Sequence, residues 1–433
     1  MAANHVVQHH PTVPGRGGAT LTSVADGRLL AVGGSDREGT LHADALLLPA
    51  GPPAARGGAP TALPAAAPLP HGVGGHSATT LAAPDGSGAP VVLLFGGINF
   101  AEETVAANMF ELWGGRWREV PPEHMQTPSG RTGHTLCRVP PPVVLPAGAS
   151  GGGGGGAVLP LSAIVGGDAS APLAVLFGGS TPADGPLNDL HIVRCESAGP
   201  APAGAGPWRY AWSAPPTTGP APAPRELHAA FVRPAIVELL PPPPAEEGEA
   251  QAQAPPRVRL LCPAALVVHG GRCEDGAPRR DLCVLDLQAR AWAAPLASPH
   301  ALCSSAAAAS PGGLQLLQFG GLAGGAAGLS RRCVLLDTAA GGSAAAAAAG
   351  GLQPAAWQWR EVALQEPAPQ ARFAAAAGVV AVRAGAGAGA QHWLCVWGGM
   401  TAEEDLSSAL WVELPGLQGI AGPAAAAGGS TTE

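Results

Sequence analysis

The chain contains no lysine; all 23 of its lysine-plus-arginine side chains are arginine. Lysine Schiff-base and lysine general-base chemistry are thereby excluded. Tyrosine occurs once, at Tyr210, and aromatic residues make up only 4% of 433 residues. Charged residues are 12% and the formal net charge is −8, so the basic footprint of a nucleic-acid-binding surface is missing. No apolar run approaches the ~18 residues of a membrane span. The N-terminus lacks the charged-then-apolar pattern of a secretory signal. Eight cysteines include no C-x-x-C pair, and they read as small buried hydrophobes in a reducing compartment, the cytoplasm or the nucleus. P-loop and H-E-x-x-H motifs are absent.

What is present is a repeat. Six apolar runs end in a Gly-Gly pair, with the pairs beginning at 33, 96, 178, 270, 320 and 398. Each run is long enough for a buried strand, and paired glycines let the chain turn where a side chain would clash. Before four of the pairs stands a strand with a polar start: GGHSATTL from Gly74, GRTGHTLCRV from Gly130, PRELHAAFV from Pro224 and QARFAAAAGVV from Gln370. After the pairs comes a loop of about eight residues, then a third strand such as DLHIV from Asp189 or DLCVLDL from Asp281. A tryptophan often follows, as at Trp117, Trp208, Trp212, Trp292, Trp357 and Trp359. Another pair, Gly166-Gly167, lacks the third strand and reads as part of an insertion.

This order, with R-x-x-H, apolar-apolar-F-G-G, D-L-x-x-L-D and W, resembles the kelch repeat and covers nearly the whole chain. The resemblance implies an all-β fold: a six-bladed kelch β-propeller of four-stranded antiparallel blades forming one domain over residues 1–415. Only the step from 270 to 320 matches the kelch period of about 50 residues. Low-complexity Gly/Ala/Pro insertions at 140–172, 234–256, 341–351 and 384–390 lengthen the rest and are expected to be disordered loops, as is a tail at 416–433. Residues 4–13 are expected to complete the last blade, although His9, His10 and Pro11 are poor strand formers.

The resemblance also bears on function. A galactose-oxidase-like copper site needs two tyrosines, and the iron-binding pattern E-x3-D-x3-H of kelch nitrile-specifier proteins does not occur. No catalytic residue, metal ligand or cofactor is assigned, and the reading favours a non-enzyme. His76, His134 and His228 share one repeat position, with Cys303 aligned there in the fifth copy; kelch repeats commonly carry a structural histidine at this place. Three residues earlier stand Arg16, Arg131, Arg225 and Arg372, with His300 in the fifth copy. In kelch adaptors, arginines at this strand start ring the channel mouth and grip acidic peptides, as guanidinium geometry allows. The alternative is a structural arginine paired within the fold. The loops after the glycine pairs are short and similar, whereas most insertions fall on the opposite face. The expectation is therefore a protein-interaction scaffold or adaptor, with Arg16, Arg131, Arg225, Arg372 and His300 binding a protein partner through an acidic segment. A small-molecule isomerase or mutarotase in the channel mouth is the second class. The missing lysines fit codon bias in a GC-rich genome, or avoidance of ubiquitination in a ligase adaptor.

Overall fold

In a computed structural model, each of the six apolar runs is an extended strand: Leu29–Val32, Pro90–Phe95, Leu173–Thr181, Ala265–His269, Gln315–Phe319 and Ala390–Trp397. The structure describes residues 2–24, 27–52, 65–83, 87–99, 104–121, 127–145, 158–160, 172–197, 206–240, 257–324, 328–339, 352–383, 390–415 and 417. The glycine pairs have a steric cause. At Gly33 (φ 64°) an added Cβ would lie 2.5 Å from the Val73 carbonyl oxygen. At Gly34 (φ 97°) it would lie 2.9 Å from that of Gly17. Backbone from the neighbouring strand start packs against each turn, and a side chain has nowhere to go.

The runs nucleate antiparallel sheets. The first pairs Thr20–Ser23, Leu29–Val32, Ala45–Leu48 and the two-residue Ala65–Ala66. The second pairs Ser77–Ala82, Pro90–Phe95, Met109–Trp113 and Arg116–Val120. The third pairs Thr135–Arg138, Leu173–Thr181, the 13-residue Gly185–Ser197 and Trp208–Ser213, with a register shift at its glycine pair. The fourth has five strands: Ala229–Arg233, Ala265–His269, Asp281–Asp286, Ala291–Trp292 and Leu296–Ala297. The fifth pairs Ala306–Ala309, Gln315–Phe319, Cys333–Asp337 and Gln358–Val362. The sixth pairs Ala376–Arg383, Ala390–Trp397 and Ser408–Glu413, and His5–His9 adds to it as expected, with Val6 opposite Trp411.

The six-bladed kelch β-propeller is corrected. The chain is all-β, but its sheets are separate and unequal, with two to five strands, rather than six uniform four-stranded blades in a closed ring. Two-stranded ribbons, Ile98–Asn99 with Thr104–Val105 and Leu302–Cys303 with Leu322–Ala323, stand apart from the larger ladders. A further sheet has no counterpart in the repeat: Val143–Leu145 runs parallel to Ile236–Leu239, which pairs with Arg257–Cys262 and through it with Val158–Pro160. Its strands come partly from the segments 140–172 and 234–256, expected as disordered loops. The apolar runs Val143-Val144-Leu145 and Ile236-Val237 supply what those loops otherwise lack, β-branched residues able to pack. The segment 341–351, most of 384–390 and most of 416–433 lie outside the described residues, although Leu417 is buried against Leu414 and Val412.

The core is distributed between sheets. Val91, Leu93 and Phe95 of the second pack on Leu176, Trp208 and Trp212 of the third. Phe177 of the third packs on Val268, Leu285 and Trp292 around the fourth. Trp292 is buried between sheets, and Trp117 lies partly buried where the first and second meet, its Nε1 donating to the Ala67 carbonyl. No helix is long and apolar enough to cross a membrane among the described residues.

Candidate functional site

The arginines at the strand starts are not a surface. Arg16, Arg131, Arg225 and Arg372 are each only 1–2% exposed. Three of them make one repeated contact with an aspartate near the start of the third strand of the same sheet: Asp44 just before it, Asp281 at its first residue and Asp189 at its fifth. Arg131 donates from Nη1 to Asp189 Oδ1 at 2.6 Å and to the Gly178 carbonyl at 3.0 Å, and from Nη2 to Asp189 Oδ2 at 2.8 Å. Arg225 does the same with Asp281 at 2.7 Å twice and with the Gly270 carbonyl at 2.9 Å. Arg16 does so with both Asp44 oxygens and the Gly33 carbonyl. The fork thus ties the start of the first strand to the glycine turn and to the third strand at once. Asp189 is held well below the usual carboxylate range: burial opposes this, but bonds from His191 and Arg131 win. Asp281 is likewise held low, by Arg225 against its burial.

The acceptors Asp44, Asp189 and Asp281 were missed as partners, although the D-L at the third-strand start is the signal that marks two of them. The backbone gives the repeat register independently of side chains. The second glycine of each pair donates to the carbonyl of the strand-start position: Arg16, Val73, Arg131, Arg225, Leu302 and Arg372. Leu302, not His300, therefore occupies the arginine position of the fifth repeat. The histidine position shifts equally, to Ser305 rather than Cys303, following the chain of bonds through Leu227, Ser304 and Ala374. The first glycine of five pairs likewise donates to the residue at the aspartate position: Asp44, Asn108, Asp281, Arg332 and Ser408.

Two repeats break the pairing in a way that matters electrostatically. In the fifth, Leu302 replaces arginine and Arg332 replaces aspartate, so an acidic position has become cationic. In the sixth, Arg372 faces Ser408. The second repeat is neutral at both places, Val73 and Asn108.

Leu302 and Arg332 line a groove of about 770 Å³ together with His300, Arg331, Leu329 and Leu364. Glu361 and Glu366 also line it. Arg332 is 60% exposed, and its Nε lies 3.9 Å from Glu361 Oε1, a loose exposed pair. Arg331 is exposed and makes no ion pair among the described residues. Burial, reinforced by the Arg332 charge, holds the His300 imidazole below its ordinary pKa, and its ring meets Trp359 edge-on at 5.8 Å.

The histidines are structural. His76 Nε2 lies 3.0 Å from Thr20 Oγ1, and His228 Nε2 lies 2.9 Å from Thr135 Oγ1. His134 and His228 meet Phe95 and Phe177 edge-on. No group of His, Cys, Asp or Glu is arranged to hold a metal among the described residues. The carboxylates whose pKa departs from the ordinary value, Asp36, Asp189, Asp275 and Asp281, all move down, which makes none of them a general acid.

No protein-family model matches the chain, and no curated protein matches it. The expected kelch identity is accordingly overturned together with the uniform propeller. The adaptor reading on an arginine-bearing face, and the isomerase or mutarotase reading in a channel mouth, fall with it. Among the described residues no closed propeller or channel mouth hosts either, and the arginines that were to line it point into their own sheets.

Proposed function

We propose that the chain binds a protein partner by receiving an extended acidic segment in the groove beside the fifth sheet. The observation that supports this is the reversal at Arg332. Where three repeats place an aspartate neutralised by a buried arginine, this one places an exposed cation with an apolar Leu302 behind it. Arg331 adds a second charge, and Leu302, Leu329 and Leu364 offer apolar contact between the polar groups, the mixture typical of peptide-binding grooves. Two adjacent guanidiniums suit carboxylates, which they bind in a planar fork. Glu361, whose Oε1 lies 3.9 Å from Arg332 Nε, and Glu366 also line the groove, so the acidic segment displaces Glu361 from Arg332. This site is separate from the four buried arginines. Nucleic acid and membrane are not partners in this reading. All eight cysteines are free thiols, which suits the cytoplasm or nucleus.

A fluorescein-labelled oligoglutamate peptide tests the proposal by anisotropy. Wild-type protein should bind it, more weakly as salt is added. The variant Arg331→Ala/Arg332→Ala should lose about tenfold or more in affinity. A second variant, Leu302→Arg/Arg332→Asp, grafts in the pair of the other repeats and should fold and yet lose binding. Equal affinity of wild type and either folded variant for the probe overturns the proposal.

A further inference from the structure

We propose that the sixth sheet contains a binding site for a small monovalent anion at Arg372. The guanidinium is 1% exposed and has no carboxylate partner. Its Nη1 donates to the Gly398 carbonyl at 3.1 Å and reaches Ser408 Oγ at 3.4 Å. These are the contacts that Arg225 makes to Gly270 and Asp281, with a hydroxyl where the carboxylate should be. The other edge of the fork is vacant. Nε is buried without a hydrogen-bond partner. In the three sibling arginines that nitrogen donates to the carbonyl two residues earlier, Pro14, Ser129 or Ala223. Nη2, which in the siblings holds the second carboxylate oxygen, makes no hydrogen bond among the described residues.

Burying a guanidinium without a counter-charge is costly, and the other three repeats avoid that cost with an aspartate. Burial alone, with Cys395 opposing weakly, pulls the pKa of Arg372 down to about 10. The group is nevertheless charged at neutral pH. In the sibling arginines the carboxylate lies across Nη1 and Nη2, so the anion sits at that end of the guanidinium, beside Nη2. The sibling aspartates are 31–40% exposed, whereas Ser408 is 3% exposed, so the ion lies beneath the surface. Serine is smaller than aspartate by one carbon and one oxygen, the room of a small anion. A chloride ion or a formate-sized carboxylate fits both that volume and the single missing charge; a bulky anion does not.

The experiment uses the full chain and does not depend on the groove at the fifth sheet. Thermal unfolding is followed at fixed ionic strength in sodium chloride, sodium formate and sodium isethionate, the last too large to enter. Chloride or formate should raise Tm by about 1–3 °C over isethionate. Ser408→Asp should raise Tm in isethionate and abolish the anion dependence, because the aspartate takes the ion's place. Bromide-soaked crystals of wild-type protein should show an anomalous peak beside Arg372 Nη2 and Ser408 Oγ, a readout independent of any variant. A Tm that is the same in all three salts, an anion dependence that survives in folded Ser408→Asp, or no bromide peak at Arg372 would each overturn the proposal.

Discussion

Tyr210 Oη donates a 2.5 Å hydrogen bond to Glu111 Oε2, joining the third sheet to the second. Glu111 is fully buried, and its other oxygen accepts from Arg118 Nε at 3.2 Å and Nη2 at 3.0 Å. The one tyrosine of the chain is thus spent on satisfying a buried acid. Burial first, then the Glu111 charge, pushes the Tyr210 hydroxyl well above its usual pKa, so it remains a donor at any pH the fold survives. Tyr210→Phe keeps the ring and removes the donor. It should cost about 1–3 kcal/mol, the penalty for an under-satisfied buried carboxylate. Urea unfolding measures it; a midpoint equal to wild type would show that Arg118 alone suffices.

Asp281→Asn probes the repeated arginine fork. It leaves the charge of Arg225 with the Gly270 carbonyl and a neutral amide. Breaking a buried pair costs about 3–5 kcal/mol, but Asp281 is 31% exposed, and water discounts this to about 1–3 kcal/mol. Asp189→Asn should behave alike in the third sheet. Neither change should alter binding of an acidic probe, because neither residue borders the groove at Arg332.

The strands were legible because their signal is local. Six apolar runs before Gly-Gly needed only the steric argument that Gly33 and Gly34 now illustrate. The third strands and the addition of Val6 and Val7 to the sixth sheet were legible for the same reason. The register of the fifth repeat was not. Leu302 stands at a position that arginine fills elsewhere, and with no charged residue to align, His300 two places earlier was read in its stead. Asp189 and Asp281 show in the sequence as strand starts, but nothing there ties them to arginines 58 and 56 residues earlier, since only the folded turn brings Arg225 to Asp281. The sheet containing Val143–Leu145 and Ile236–Leu239 was hidden by the proline and glycine around it. Uniform blades follow from the order of strand, strand-Gly-Gly, strand and tryptophan that resembles the kelch repeat, and that order does not fix how many strands each sheet acquires.

Trp292 packs on Phe177 with ring centroids 5.5 Å apart, filling the space between the third and fourth sheets. Its backbone N–H donates to the Thr218 carbonyl, so the ring is fixed by the chain on both sides. Trp292→Ala empties that space and should cost about 3–5 kcal/mol. Trp292→Phe should recover more than half of this. The comparison by chemical denaturation separates lost volume from lost strand pairing, because both variants keep the same backbone bonds.

The buried histidines set the acid side of the stability curve. Desolvation lowers His76, His134 and His228 to about 3. In the unfolded chain each would titrate near 6.5. Between these values the unfolded state binds protons that the folded state refuses, so stability rises with pH across the window. Run downward, the loss begins near pH 6.5 and continues to about 3. Asp189 and Asp281 act in the same direction but only later. Their folded pKa values lie below the ordinary ones, so their contribution is intact above about pH 4 and is lost as pH falls further. The two groups therefore separate on the pH axis. Tm should already decline between about pH 6.5 and 5, where no carboxylate of ordinary pKa is yet involved. His269 is likewise lowered to about 4, and His42 and His300 are lowered as well, so in His134→Gln the slope in that interval should fall by about a quarter or less. A flat Tm down to about pH 5 would mean that these rings take up protons in the folded state, and hence that water reaches them.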